Sequence, residues 1–142
     1  MRMRPGIFGA AVMVLFFAGC QTPHAFVAPD AAWKTHNGQL KFTSGKQTLI
    51  GEVVVSRRGT KDFQLEFQKG GVPMLRVRLD ETTARAEGLL VRWGWQGAPD
   101  RAPRRLRSWL ALREAFVTQK DIAHFTVAPS DSTDRFEFIF AR

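Results

Sequence analysis

One cysteine, three histidines and no tyrosine among 142 residues remove several function classes before any motif is sought. A disulfide framework or a thiolate metal cluster needs several cysteines, so Cys20 can build neither. His24, His36 and His124 stand far apart without ligand spacing, which sets zinc chemistry aside. There is no phosphate-cradling glycine loop and no nucleophile elbow; Ser108 falls in a helical pattern, His124 reads as a half-exposed strand residue, and Asp80-Glu81 reads as a solvated turn rather than a catalytic pair. The expectation is a protein that is not an enzyme and uses no cofactor or metal. A long hydrophobic run is missing too. The most apolar stretch, Ile7 to Phe17, falls well short of the roughly 20 residues that span a hydrocarbon core.

What is present at the start is an export pattern. Arg2 and Arg4 form a positive region, Ile7 to Phe17 an apolar one, and Ala18-Gly19 a small-residue exit. The sole cysteine follows at once, and Phe16-Phe17-Ala18-Gly19-Cys20 resembles the lipobox of bacterial lipoproteins, departing from it where Phe17 replaces the usual Leu. That resemblance implies cleavage before Cys20 and acylation of its thiol, so that the chain is held to a membrane by acyl groups such as palmitate. Gln21, rather than Asp, after the cysteine implies sorting to the outer membrane, facing the periplasm. The chain then divides into a signal peptide at 1–19, a lipidated tether at 20–32 that contains Pro23 and Pro29, and a single domain at 33–142. The formal charge is +8, and only Arg2 and Arg4 of the basic residues precede Cys20. An exported basic chain meets no nucleic acid, so its expected anionic neighbours are lipid head groups and cell-wall polymer.

From Gln39 onward the pattern has period two. Leu40 and Phe42 open it, and Leu49 to Val55 follows a Ser44-Gly45-Lys46 turn. The cleanest strand is Asp62 to Gln68, which places Phe63, Leu65 and Phe67 on one face. After Lys69-Gly70-Gly71-Val72-Pro73, Leu75, Val77 and Leu79 alternate with Arg76 and Arg78. Thr83 to Glu87 reads as a fifth strand and Leu89 to Trp95 as a sixth, with Val91, Trp93 and Trp95 on a common side. Ile122 to Ala128 and Arg135 to Ala141 complete eight, the last with Phe136, Phe138 and Phe140 facing one way. A brief helical turn is expected around Trp33. Such alternation marks an antiparallel sheet with one greasy and one wet face.

Between the sixth and seventh strands the period becomes helical. Leu106, Trp109, Leu110, Arg113 and Phe116 make a stripe, with Asp100 as expected N-cap. The fold class is therefore mainly β with some α: a curved antiparallel sheet, or half-open barrel, with one helix over its apolar face. Twelve Phe and four Trp make that face very greasy. It either fills as a core or leaves a cleft for an acyl chain lined by Phe63, Leu65, Phe67, Leu75, Val77, Trp93, Trp109 and Phe138. On the wet side, Arg76, Arg78 and Arg92 with the arginines at 101–107 offer a basic face.

A lipidated cysteine, a short tether, alternating antiparallel strands and a late helix together resemble the LolA/LolB family of periplasmic lipoprotein carriers and receptors. The resemblance is carried most by Phe63 to Leu79, where a strand ends in Gly70-Gly71-Val72-Pro73-Met74 and a second returns. It implies a half-open barrel under a helical lid, binding or transfer of lipids or lipoprotein acyl chains, and a membrane-contact loop at Val72, Pro73 and Met74. The chain departs from the family in its short length and single helix. The reading from another class is a structural envelope lipoprotein with a filled core that meets cell-wall polymer or a protein assembly through its basic face.

Overall fold

The computed structural model describes residues 24–141, so the export pattern and Cys20 lie outside the described residues. Eight strands form one antiparallel sheet: β1 (Lys34–Ser44), β2 (Gln47–Arg58), β3 (Asp62–Lys69), β4 (Val72–Leu79), β5 (Ala84–Glu87), β6 (Trp95–Gly97), β7 (His124–Val127) and β8 (Asp134–Phe140). Their order is β6-β5-β4-β3-β2-β1-β8-β7, a six-strand meander with the last hairpin returning beside β1. The sheet is not closed, and β6 and β7 are its edges. Between them, α1 (Arg104–Leu110) and α2 (Leu112–Thr118) carry the chain across, separated only by Ala111. The mainly-β class, the antiparallel pairing and the late helical stretch match the sequence expectation.

Tight turns set the register. Gly70 and Gly71 have φ of 57° and 77°, as a two-residue hairpin of the I′ kind requires, and they place Lys69 opposite Val72. A bulge between Phe67 and Gln68 then takes up Met74 and seats Pro73 where no ladder donor is needed. Gly51 faces the apolar side beneath Phe67; a Cβ there would lie 2.1 Å from the Gln68 carbonyl oxygen, so no larger residue fits. By this register the β1–β2 and β3–β4 turns and the start of β8 share one end of the sheet, called upper below. The β2–β3 and β4–β5 turns share the lower end.

The helical stretch covers the apolar face. Trp109 of α1 puts its ring 4.7 Å from Phe42, 4.8 Å from Phe136 and 6.0 Å from Phe67. Phe116 of α2 stands 5.7 Å from Phe63, 5.0 Å from Phe125 and 5.1 Å from Phe138. With Leu106 and Leu112 these rings join strand side chains from β1 to β8 in one buried cluster. Burying each large side chain contributes about 1.5 to 3 kcal/mol, which is what holds a helix this short in place.

Three local expectations are corrected. Leu89 to Trp95 is not a strand, since only Trp95–Gly97 pairs. The amides of Val91 and Gly94 instead bond back to the carbonyls of Gly88 and Val91, making two successive turns. Turns closed at three residues bury Val91 and half-bury Trp95 while throwing Trp93 outward with φ of 72°, a pattern that alternation alone imitates. Asp100 does not cap the helix, because it falls in a 3₁₀ turn at Pro99–Arg101; Pro103 holds the N-cap position without a side-chain hydrogen bond. The turn near Trp33 is confined to 31–32, where Asp30 Oδ1 accepts from the Ala32 amide at 2.8 Å, and β1 follows directly.

The two tryptophans give a paired expectation. Trp109→Ala should lower stability by about 3 to 5 kcal/mol through the cavity it leaves, whereas Trp93→Ala should change it by no more than about 0.5 kcal/mol. Thermal melting of the two variants checks this, and an unchanged melt for Trp109→Ala would show that α1 does not seal the sheet.

Candidate functional site

The residues expected to line an acyl cleft fall into two groups. Phe63, Leu65, Phe67, Leu75, Val77, Trp109 and Phe138 come together on the apolar face, and all are buried. They touch one another and the helical stretch, so the space a ligand would enter is occupied by the chain itself. Trp93 is not among them. It is 95% exposed on the 88–94 loop, and its assignment to the apolar face is corrected for the reason given above.

The expected contact loop is real in position but is built from strand residues. Val72 and Pro73 open β4 directly after the Gly70-Gly71 turn and are exposed, whereas Met74 is half-buried against the core. Beside them lies Leu89, 68% exposed, its amide bonded to the Pro73 carbonyl. Val72, Pro73, Leu89 and Trp93 thus make the upper end of the sheet apolar. Leu89 was missed because it was read as part of a strand. The signal that marks it is Gly88, whose Cβ would meet the Met74 carbonyl oxygen at 2.5 Å and which forces the chain to turn there.

Of the arginines expected to form a basic face, Arg76 and Arg78 share the outer side of β4, with Arg85 opposite Arg78, but Arg92 does not join them. Arg76 pairs with Glu66 at 2.5 Å, and Arg92 sits on the 88–94 loop. Three others gather at the upper end. Arg104, Arg105 and Arg107 of α1 face the 128–134 segment across an open cleft of about 840 Å³. Asp134 forms its floor, accepting hydrogen bonds from Ser44 Oγ at 2.6 Å and from buried Ser108 Oγ. One carboxylate thereby ties β1, α1 and β8 together.

The segment read as a tether has no helix or strand from His24 to Trp33, yet it is pinned to the body. His24 Nε2 donates to Asp80 Oδ2, and Arg85 reaches the His24 carbonyl oxygen at 3.2 Å while its guanidinium lies 5.4 Å over Phe26. Trp33 is buried under Arg58 at 5.5 Å. Below it, Arg113 Nη1 donates to the Lys61 and Asp80 carbonyl oxygens and joins α2 to both lower turns. Arg113, read as a gap in the apolar stripe, therefore has a structural task.

Two groups titrate away from their ordinary ranges. Burial pushes the Asp80 carboxyl up, but hydrogen bonds from His24 and from the Thr82 and Thr83 amides outweigh it and hold the group low. Burial, then Arg57 and Lys34, lowers the pKa of His36. Among the described residues no cluster of His, Cys, Asp or Glu could hold a metal ion, and no helix is long and apolar enough to cross a membrane. No protein-family model matches the chain, and no curated protein matches it.

The Asp80 latch has a pH signature. Its carboxyl binds a proton less readily in the folded chain than in the unfolded one, so its contribution to stability is complete above about pH 4 and is lost as the pH falls through the lower folded value. Asp80→Asn should therefore give a shallower loss of melting temperature between about pH 4 and pH 2. Identical slopes for the two proteins would detach this carboxylate from the acid response.

Proposed function

We propose that the protein is an exported, lipid-anchored envelope protein that is not an enzyme and works through its surface: a LolA/LolB-like half-open barrel whose mouth its own helical stretch fills. The observation that carries this reading is the burial of Trp109, Leu112 and Phe116 against the apolar face of the sheet. An acyl chain could enter only by lifting α1 and α2 away, and each large side chain uncovered would cost about 1.5 to 3 kcal/mol. Interior carriage of lipid, the main function of the resembled family, is thereby disfavoured. The structural reading, in which a basic surface meets an envelope polymer or assembly, is the better supported one.

The fold also has a polarity that suits presentation. His24 is pinned beside Asp80 at the lower end, and in sequence it follows the proposed anchor Cys20 by four residues. The apolar and arginine-rich features lie at the upper end, about 25 Å away along β4. An anchored molecule standing upright holds Val72, Pro73, Leu89 and Trp93 away from its own membrane, toward the wall. Contact of Val72, Pro73 and Met74 with the anchoring membrane would require the strands to lie along its surface.

Two measurements test the reading. Cys20→Ser should release the protein from membranes in a high-salt wash without changing its melt, because acylation contributes anchoring and no packing. The released variant should leave a fluorescent fatty-acyl probe at its free-dye emission. Retention of the variant on washed membranes would sink the anchor, and stoichiometric uptake of the probe would restore carriage.

A further inference from the structure

From the cleft between α1 and the 128–134 segment, we propose that the protein binds an anionic glycan: hydroxyl-rich sugar rings that carry a carboxylate or phosphate. The inference rests on the surface-binding reading above and names the ligand class of its basic end. Its volume of about 840 Å³ exceeds what one sugar ring fills and lies in the range of ligand sites. One wall is cationic. Arg104 and Arg105 are exposed and form no ion pair among the described residues, and Arg107 spends only its Nε, on the Ala102 carbonyl oxygen at 3.1 Å. Guanidinium groups from three residues lining one cleft suit the paired oxygens of carboxylate or phosphate groups.

The opposite wall suits the sugar rather than the charge. Ser130 and Ser132 offer hydroxyls, and Asp131 offers an exposed carboxylate that accepts hydrogen bonds from ring hydroxyls. Asp134 is held by Ser44 and Ser108 and, with Asp131, leaves the three arginines of the cleft a formal excess of one positive charge. Its amide in turn bonds Ser132 Oγ at 2.9 Å, which fixes this wall relative to α1. A lone anion would use one wall only, whereas an anionic sugar uses both. The 25 Å separation from the anchored end places the cleft where a wall glycan or the glycan head of a neighbouring lipid would be met.

The experiment is calorimetric titration of the full chain in neutral detergent. The probes are a carboxylated muramic acid disaccharide, glucosamine 1-phosphate, inorganic phosphate and uncharged chitobiose. Both anionic sugars, or one of them, should bind at least tenfold more tightly than chitobiose and than inorganic phosphate, and the preference should fall as salt rises. Preference for the disaccharide marks a wall glycan as the source, and preference for the sugar phosphate marks a lipid head. Arg104→Gln with Arg105→Gln should abolish the preference over chitobiose with an unchanged melt. Asp131→Asn should erase the preference over inorganic phosphate. Equal binding of all four probes, or arginine variants that bind as the parent does, would overturn the proposal. Retention of Cys20→Ser on membranes would instead overturn the anchor while leaving these affinities as they are, so the two failures are distinguishable.

Discussion

The contact between one helical stripe and one face of the sheet is what the remaining structure depends on. An unclosed sheet with edges at β6 and β7 cannot hide its apolar side by curling on itself, so another element must lie on it. Trp109 and Phe116 do this from positions seven residues apart, about 10 Å along the helical path. Between them they reach strands β1, β3, β7 and β8. Polar ties then fix the angle of the helical stretch. Ser108 joins its start to Asp134 at the upper end, and Arg113 joins its second half to the lower turns. The apolar contact supplies most of the free energy; the polar ties choose one orientation among those that would bury similar area.

That orientation gives the molecule two unlike ends. The lower end is tied by hydrogen bonds among the Asp80 turn, the Arg113 bridge and the 24–33 segment, although Trp33 Nε1, Arg57 Nε and Arg78 Nε are buried there without a partner among the described residues. The upper end carries exposed Val72, Leu89 and Trp93 and the arginines of α1. An exposed Trp in the left-handed region is rare for two reasons at once, since it hides no apolar area and strains its own backbone. Neither cost is repaid among the described residues.

Much of the fold was legible because alternation is a local signal. Phe63, Leu65 and Phe67 point one way whatever lies opposite them, and Gly70-Gly71 turns the chain in any context. The strand order could be read only as far as consecutive hairpins reach. The pairing of β8 with β1 depends on sequence-distant contacts that no period encodes. Trp93 misled because residues at i and i+2 in a strand and in successive turns alternate alike, and only Gly88 and Gly94 at its flanks distinguish the two. The filled interior was legible only as one of two outcomes, because a greasy strand face serves a core and a cleft alike. Whether Phe116 plugs the space beside Phe63 or leaves it open depends on helix placement, which the stripe does not determine.

The arginines at the start of α1 sharpen this division between core and surface. A first turn favours acidic residues because unpaired amides there carry partial positive charge, and each basic residue forgoes about 0.3 to 1 kcal/mol. Here α1 has Arg104, Arg105 and Arg107, no acidic residue in its first turn and no capping side chain. The same turn buries Leu106 toward the core, so the apolar pattern has not been sacrificed to place these charges. Polar residues that favour a helix start would fit the exposed positions equally well. What distinguishes arginine there is a planar cation turned toward a cleft whose floor carboxylate is already engaged by two serines. In the formal count the three arginines outnumber Asp131 and Asp134 by one, and an anion bound in the cleft would take up that excess.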